Sequence, residues 1–169
     1  MLSVAYKGIA LPILWTMPPK KGNSNSNERK DLMERYIKLF NISSIESLLA
    51  DREFIGDEWF EELIWKKISF YIRIRNNSWI NIPGKGNVKV SWLFNNLPLY
   101  TVYHYPKIIY INGRMVYLSG IRTYNDEGRI DFVIIATYKF DTLSLEIYKD
   151  RWQIETMFYG KHIVMQSDG

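Results

Sequence analysis

Apolar positions along the chain follow two rhythms, and the places where one gives way to the other mark the predicted elements. Leu2 to Tyr6 and Ile9 to Thr16 read as strands joined at Lys7-Gly8, and Pro18-Pro19 ends the second. Lys20 to Asn27 is a polar loop, and Ser26 or Asn27 can cap the helix that follows, with Glu28 in its first turn. Leu32, Met33, Tyr36, Ile37 and Phe40 then recur at three- and four-residue steps and give that helix one apolar face. Ile45 to Ala50 reads as a short buried strand with Asp51 at its C-terminal end, and a second helix runs from about Asp57 to Lys67. Next comes a clear alternation, with Phe70, Ile72 and Ile74 on one face and Tyr71, Arg73 and Arg75 on the other. Strands and helices in this order predict an α/β fold.

From Asn76 to about Thr137 only the two-residue rhythm remains. Val88 to Phe94, Leu99 to Tyr105, Lys107 to Ile111, Met115 to Ile121 and Asp131 to Tyr138 are strand-like runs separated by turn signals. Asn112-Gly113 is the strongest of these, and Asn125 to Gly128 is a looser one. A last helix is predicted from Asp141, as N-cap, to Phe158, after which the pattern is lost. The expected organisation is therefore 1–75 as the first α/β part, 76–138 as a β-rich insertion, 139–158 as a final helix and 159–169 as a divergent tail.

Composition adds a few bounds. With 169 residues, 47% of them apolar, the chain can build a real core. The aromatic share of 15%, including 12 Tyr and 6 Trp, favours strands and can also stack on bases. A net charge of +4 suits a polyanionic partner and equally suits an ordinary basic protein. The absence of cysteine excludes disulfides and thiolate metal sites. No apolar run is long enough to span a bilayer, and Lys7 and Pro12 interrupt the apolar start, so a soluble, cytoplasmic protein is expected.

The last predicted helix holds the most suggestive chemistry. Tyr148, Arg151 and Glu155 are spaced to share one stripe at about 3.6 residues per turn. A carboxylate, a guanidinium and a phenol in a row suit a phosphodiester-cutting site, and equally describe a solvated face with an Arg–Glu pair. Asp51, at the end of a strand, stands where α/β sheets bind ligands and also where a turn Asp would stand. His104 reads as structural, and His162 lies in the divergent tail. Lys20, Lys21, Arg73 and Arg75 could meet a DNA backbone or simply face solvent.

Taken together, these residues resemble a known pattern. Tyr148-x-x-Arg151-x-x-x-Glu155, with Trp152 after the Arg and Gln153 to Phe158 continuing, is similar to the signature of DDE transposases of the insertion-sequence four (IS-four) family. Ala50-Asp51-Arg52-Glu53-Phe54 resembles that family's second catalytic Asp segment, and Leu2 to Trp15 resembles the hairpin that follows its first Asp. The resemblance implies an RNase H-like mixed sheet with helices, interrupted by an all-β insertion before the last helix. It implies metal-dependent cutting and joining of transposon ends, with Asp51 and Glu155 as catalytic ligands of Mg²⁺ (or Mn²⁺). It makes Tyr148, Arg151 and Trp152, with Arg73 and Arg75, the residues that meet double-stranded DNA at the terminal repeats. A second transposase chain is a further partner, and the protein would be nucleoid-associated when bound to DNA.

Two departures accompany the resemblance. The family's first Asp and its strand would precede Met1, and His162 stands where the signature has Lys. The expectation is thus a truncated copy, lacking the N-terminal strand and inactive alone, with a non-catalytic DNA-binding or regulatory remnant as the alternative.

Overall fold

The computed structural model describes residues 2–6, 9–14, 26–52 and 57–151. The chain divides into two compact units, 1–44 with 149–169, and 45–148.

In the first unit, β1 (Leu2–Tyr6) and β2 (Ile9–Leu14) pair antiparallel, with Tyr6 opposite Ile9. This is the expected hairpin, and its turn residues Lys7 and Gly8 lie outside the described residues. Helix α1 (Ser26–Phe40) buries Met33 and Tyr36 from its apolar stripe. It ends at Asn41, whose φ of 68° is left-handed and whose N–H donates to the Ile37 carbonyl at 2.9 Å. Asn tolerates that conformation better than most residues, which makes it a natural helix terminator.

The second unit is built on a seven-stranded mixed sheet. Its strands are β3 (Leu48–Ala50), β4 (Phe70–Ile74), β5 (Trp79–Ile82), β6 (Gly86–Lys89), β7 (Val102–Ile111), β8 (Arg114–Tyr124) and β9 (Ile130–Thr137), in the order β3-β4-β9-β8-β7-β5-β6. Only β3 and β4 are parallel; every other pairing in this sheet is antiparallel. The all-β stretch expected between β4 and the last helix is present, and its final strand β9 lies directly against β4. The sheet therefore runs without a break from the α/β part into the β-rich part.

Strand alternation assigns the faces. Phe70, Ile72 and Ile74 are fully buried on one side, where Phe60 of α2 (Asp57–Trp65) stacks on Phe70 at 5.4 Å. Trp59 and Leu63 are buried from the same helix. Helix α2 stops because Lys67 turns left-handed at φ 55°. The Lys67 N–H then donates to Ile64 O at 3.0 Å and the Ile68 N–H to Leu63 O at 2.9 Å. This is the Schellman pattern, and the buried pair Leu63 and Ile68 supplies its apolar contact. On the opposite face, Leu145 and Tyr148 of α3 (Ser144–Lys149) are buried with Ile135, flanked by Tyr71, Ile121 and Val133.

Three local expectations are corrected. Val88 to Phe94 is not one strand: after β6 the chain forms a 3₁₀ helix, Val90–Leu93. A strand would put Val90, Trp92 and Phe94 on one side, whereas Val90 and Phe94 are fully buried and Trp92 is 53% exposed. Two expected strands merge into β7, which runs through Pro106. Its register breaks between Tyr105 and Ile109, so the bulge takes up a residue that has no N–H to give the ladder. The described part of the last helix begins at Ser144 rather than just after Asp141 and ends at Lys149, with Asp150 and Arg151 in a turn. Asp141 is not its N-cap: it lies three residues before Ser144 and accepts the Leu143 N–H at 2.8 Å, which folds the turn that leads into the helix. The expected remainder, to Phe158, lies outside the described residues.

Candidate functional site

Asp51 is the residue that follows β3. The parallel register pairs Leu49 with Tyr71 and Ala50 with Ile72, so its next step sets position 51 beside Arg73. Asp51 is half-buried, and its Oδ1 accepts the Arg52 N–H at 2.7 Å.

Beside it opens a cleft of about 370 Å³, lined by Arg52, Arg73, Arg75, Asn76, Asn77 and Asp131 among others. Arg73 leaves β4 on the same face as Tyr71 and reaches Asp131 Oδ2 at 3.5 Å. The Asn76 amide donates to Asp131 Oδ1 at 3.4 Å. The lining brings together three guanidiniums, the Asp131 carboxylate and the amides of Asn76 and Asn77. Such a lining can hold the oxygens of a phosphate group. Arg73 and Arg75 were expected here from the sequence. Arg52, Asn76 and Asp131 were not, because their meeting depends on β9 lying against β4.

The face that carries Arg73 also carries the covering helix. Tyr148 is 3% exposed, packed with Leu145 and Ile135, so its ring is part of the core beneath α3. The start of this helix is tied to the sheet: the Tyr71 hydroxyl donates to Asp141 Oδ2 at 2.5 Å, while Asp141 Oδ1 holds the Leu143 N–H. Burial of Tyr71, with the Asp141 carboxylate beside it, pushes its phenol up to about 12. Arg151 is half-buried in the turn after α3, and Trp152, Glu155 and His162 lie outside the described residues, as do Lys20 and Lys21. His104 sits on β7 with Nδ1 2.7 Å from Ser119 Oγ and its ring edge-on to Phe140 at 6.4 Å, as a structural histidine would.

Among the described residues, no three Asp, Glu or His side chains gather as a metal site. Asp51 offers a hard oxygen ligand of the kind that suits Mg²⁺ or Mn²⁺, and a full set would need carboxylates from elsewhere. Among the described residues, no helix is long and apolar enough to cross a membrane.

A mixed sheet with one parallel pair, an Asp at the end of the outer strand and helices on both faces defines a domain of the RNase H-like class. The sequence matches the family model described as Transposase DDE domain over residues 5–159, and the chain belongs to that family. Membership makes it a DNA-transposition protein of an enzyme family that acts on DNA and uses divalent metal. Comparison with curated proteins gives no match.

Proposed function

We propose that this chain is a DDE transposase of the IS-four type, and that it binds the terminal repeats of its element through the arginine cleft beside Asp51. The observation that carries the reading is the position of Asp51, directly after the parallel strand and next to Arg52, which lines the cleft with Arg73 and Arg75. In this reading 1–75 is the first part of the catalytic core, 76–138 the β insertion, 139–158 the catalytic helix and 159–169 a divergent tail.

Asp51 and Glu155 would hold the divalent ions, Mg²⁺ or Mn²⁺. When bound, such a pair of ions supplies activation of the attacking oxygen and stabilisation of the leaving one. The chain's own residues do the positioning. Arg73 and Arg75 meet the DNA backbone, with Arg151 and Trp152 as further contacts to it. Tyr148, whose ring and hydroxyl are both buried, supports the helix from beneath instead of touching phosphate.

In this reading Asp51 and Glu155 are the two metal-binding carboxylates that these 169 residues bring to the ions. We therefore expect this chain by itself to bind DNA without cutting it, which is also how a non-catalytic regulatory remnant would behave. The test is a gel-shift series on duplex DNA bearing the element's ends, against a scrambled duplex, with and without Mg²⁺. Preference for the end sequence supports the reading. Equal affinity for both duplexes leaves a general DNA binder and removes the terminal-repeat assignment.

A further inference from the structure

The arginine cleft contains a carboxylate of its own. Asp131 stands on β9, and its two contacts, 3.5 Å to Arg73 and 3.4 Å to Asn76, are both long. The side chains of Arg73 and Asp131 are 20% and 31% exposed, so water screens the pair and holds it weakly. The sheet register explains why they meet: Arg73 pairs with Ile135, and Asp131 stands on the same face, four residues earlier on β9. A carboxylate presents two oxygens to a guanidinium much as a phosphodiester does, with half the geometric constraint and similar charge.

We infer that Asp131 competes with a DNA backbone phosphate for Arg73, so that the cleft is a phosphate subsite with a built-in rival. The inference rests on the reading of this chain as a DNA-binding transposase. The weak internal pair draws Arg73 toward β9, the neighbour of β4 on the side away from β3. It yields to a phosphate that reaches Arg73 while neighbouring phosphates of the same strand meet the other donors of the cleft lining. An isolated anion gains less from the exchange than a backbone carrying phosphates in series. The device thus favours a polyanionic strand over free phosphate.

The experiment follows binding of a fluorescently labelled duplex by anisotropy across a sodium chloride series, using the full chain, Asp131→Asn, Arg73→Gln and the double variant. Asp131→Asn is expected to bind roughly two- to fivefold tighter, the range set by a weak surface pair. Its gain should vanish in the Arg73→Gln background, whereas simple removal of a negative charge would act equally in both backgrounds. Arg52→Gln, on an exposed residue, should bind more weakly and flatten the salt slope by about one. Inorganic phosphate at fixed ionic strength should not displace the duplex. Should Asp131→Asn fail to fold, Asp131→Ser makes the same comparison. Unchanged or weaker binding by the Asp131 variant, a gain that survives Arg73→Gln, or displacement by phosphate overturns the inference while leaving DNA binding intact. Absence of duplex binding by every protein overturns both the inference and the proposed function.

Discussion

The ring of Phe94 fills the space that a side chain at position 120 would need. A Cβ built on Gly120 would stand 2.5 Å from Phe94 Cε1 and 2.7 Å from Cδ1. Gly120 lies mid-strand in β8, opposite Tyr103 on one side and Ile134 on the other. Phe94, fully buried just after the 3₁₀ helix, is thereby pressed onto the sheet, with its edge toward the Tyr103 ring at 6.2 Å. Here glycine serves a close approach rather than a turn.

Gly120→Ala should therefore destabilise the protein by about 1–3 kcal/mol, because a packed ring cannot shift without displacing its neighbours. Urea unfolding followed by Trp fluorescence measures this. Phe94→Leu placed in the same chain should recover part of the loss, and a fully stable Gly120→Ala single variant would refute the packing.

Replacing Lys67 by Gly should stabilise the chain by about 0.5–1 kcal/mol. Position 67 is left-handed at φ 55° and closes α2, and a side chain there bears a steric penalty that glycine escapes. The gain is partly offset by the greater freedom of glycine when unfolded. Lys67→Val should lose stability instead, and thermal melts of the two variants separate in opposite directions if the helix ends as described.

A pH effect follows from Tyr71. Its phenol, ordinarily near 10.0, is raised to about 12 by burial and by the Asp141 carboxylate. A raised pKa means that the folded chain keeps a proton that the unfolded chain gives up. The stabilising contribution is therefore complete below pH 10 and is lost as pH rises through 12. Chemical denaturation between pH 8 and 12 should show this decline, and Tyr71→Phe should remove it. An identical alkaline slope in Tyr71→Phe would assign it to other groups.

On the proposed reading, in which Asp51 and Glu155 are the metal-binding carboxylates of these 169 residues, the purified chain should not nick DNA with Mg²⁺ or Mn²⁺, since two carboxylates hold two ions less well than three. The comparison is with a chain supplied with a third Asp-bearing strand, in which Asp51→Asn and Glu155→Gln should each reduce cleavage by at least about a hundredfold and chelation by EDTA should abolish it. Metal-dependent cleavage by the 169-residue chain, lost in Glu155→Gln, would show that it needs no third ligand of its own.

What the sequence disclosed divides along a physical line. The alternation of Phe70, Ile72 and Ile74 and the Asn112-Gly113 turn are local, and both were legible. Asn112 and Gly113 have φ of 49° and 77°, the backbone that this dipeptide favours. The position of Asp51 was legible too, because a short apolar run ended there. Burial decided the rest. Val90 and Phe94 take a helical turn since the sheet below rewards it, and nothing local marks them off from a strand. Strand β5 went unnoticed because Trp79 to Ile82 is brief and bounded by Asn and Pro. The cleft was half legible: Arg73 and Arg75 announced a charged strand end, but Asp131 comes from a strand distant in sequence.

The parallel pair at the sheet's margin has a consequence for motion. Strand β3 has three residues and one hydrogen-bonded neighbour, β4, whereas β8 is clasped along its length from both sides. Local opening at such a margin takes less free energy than global unfolding. Leu48, Leu49 and Ala50 should thus be among the first strand amides of the sheet to exchange with deuterated water, and the core of β8 among the last. On the proposed reading, the metal-binding Asp51 directly follows this edge strand. A nucleic acid seated against Arg52 and Arg73 would act there as a splint, and slower exchange of those three amides on DNA addition would register its grip.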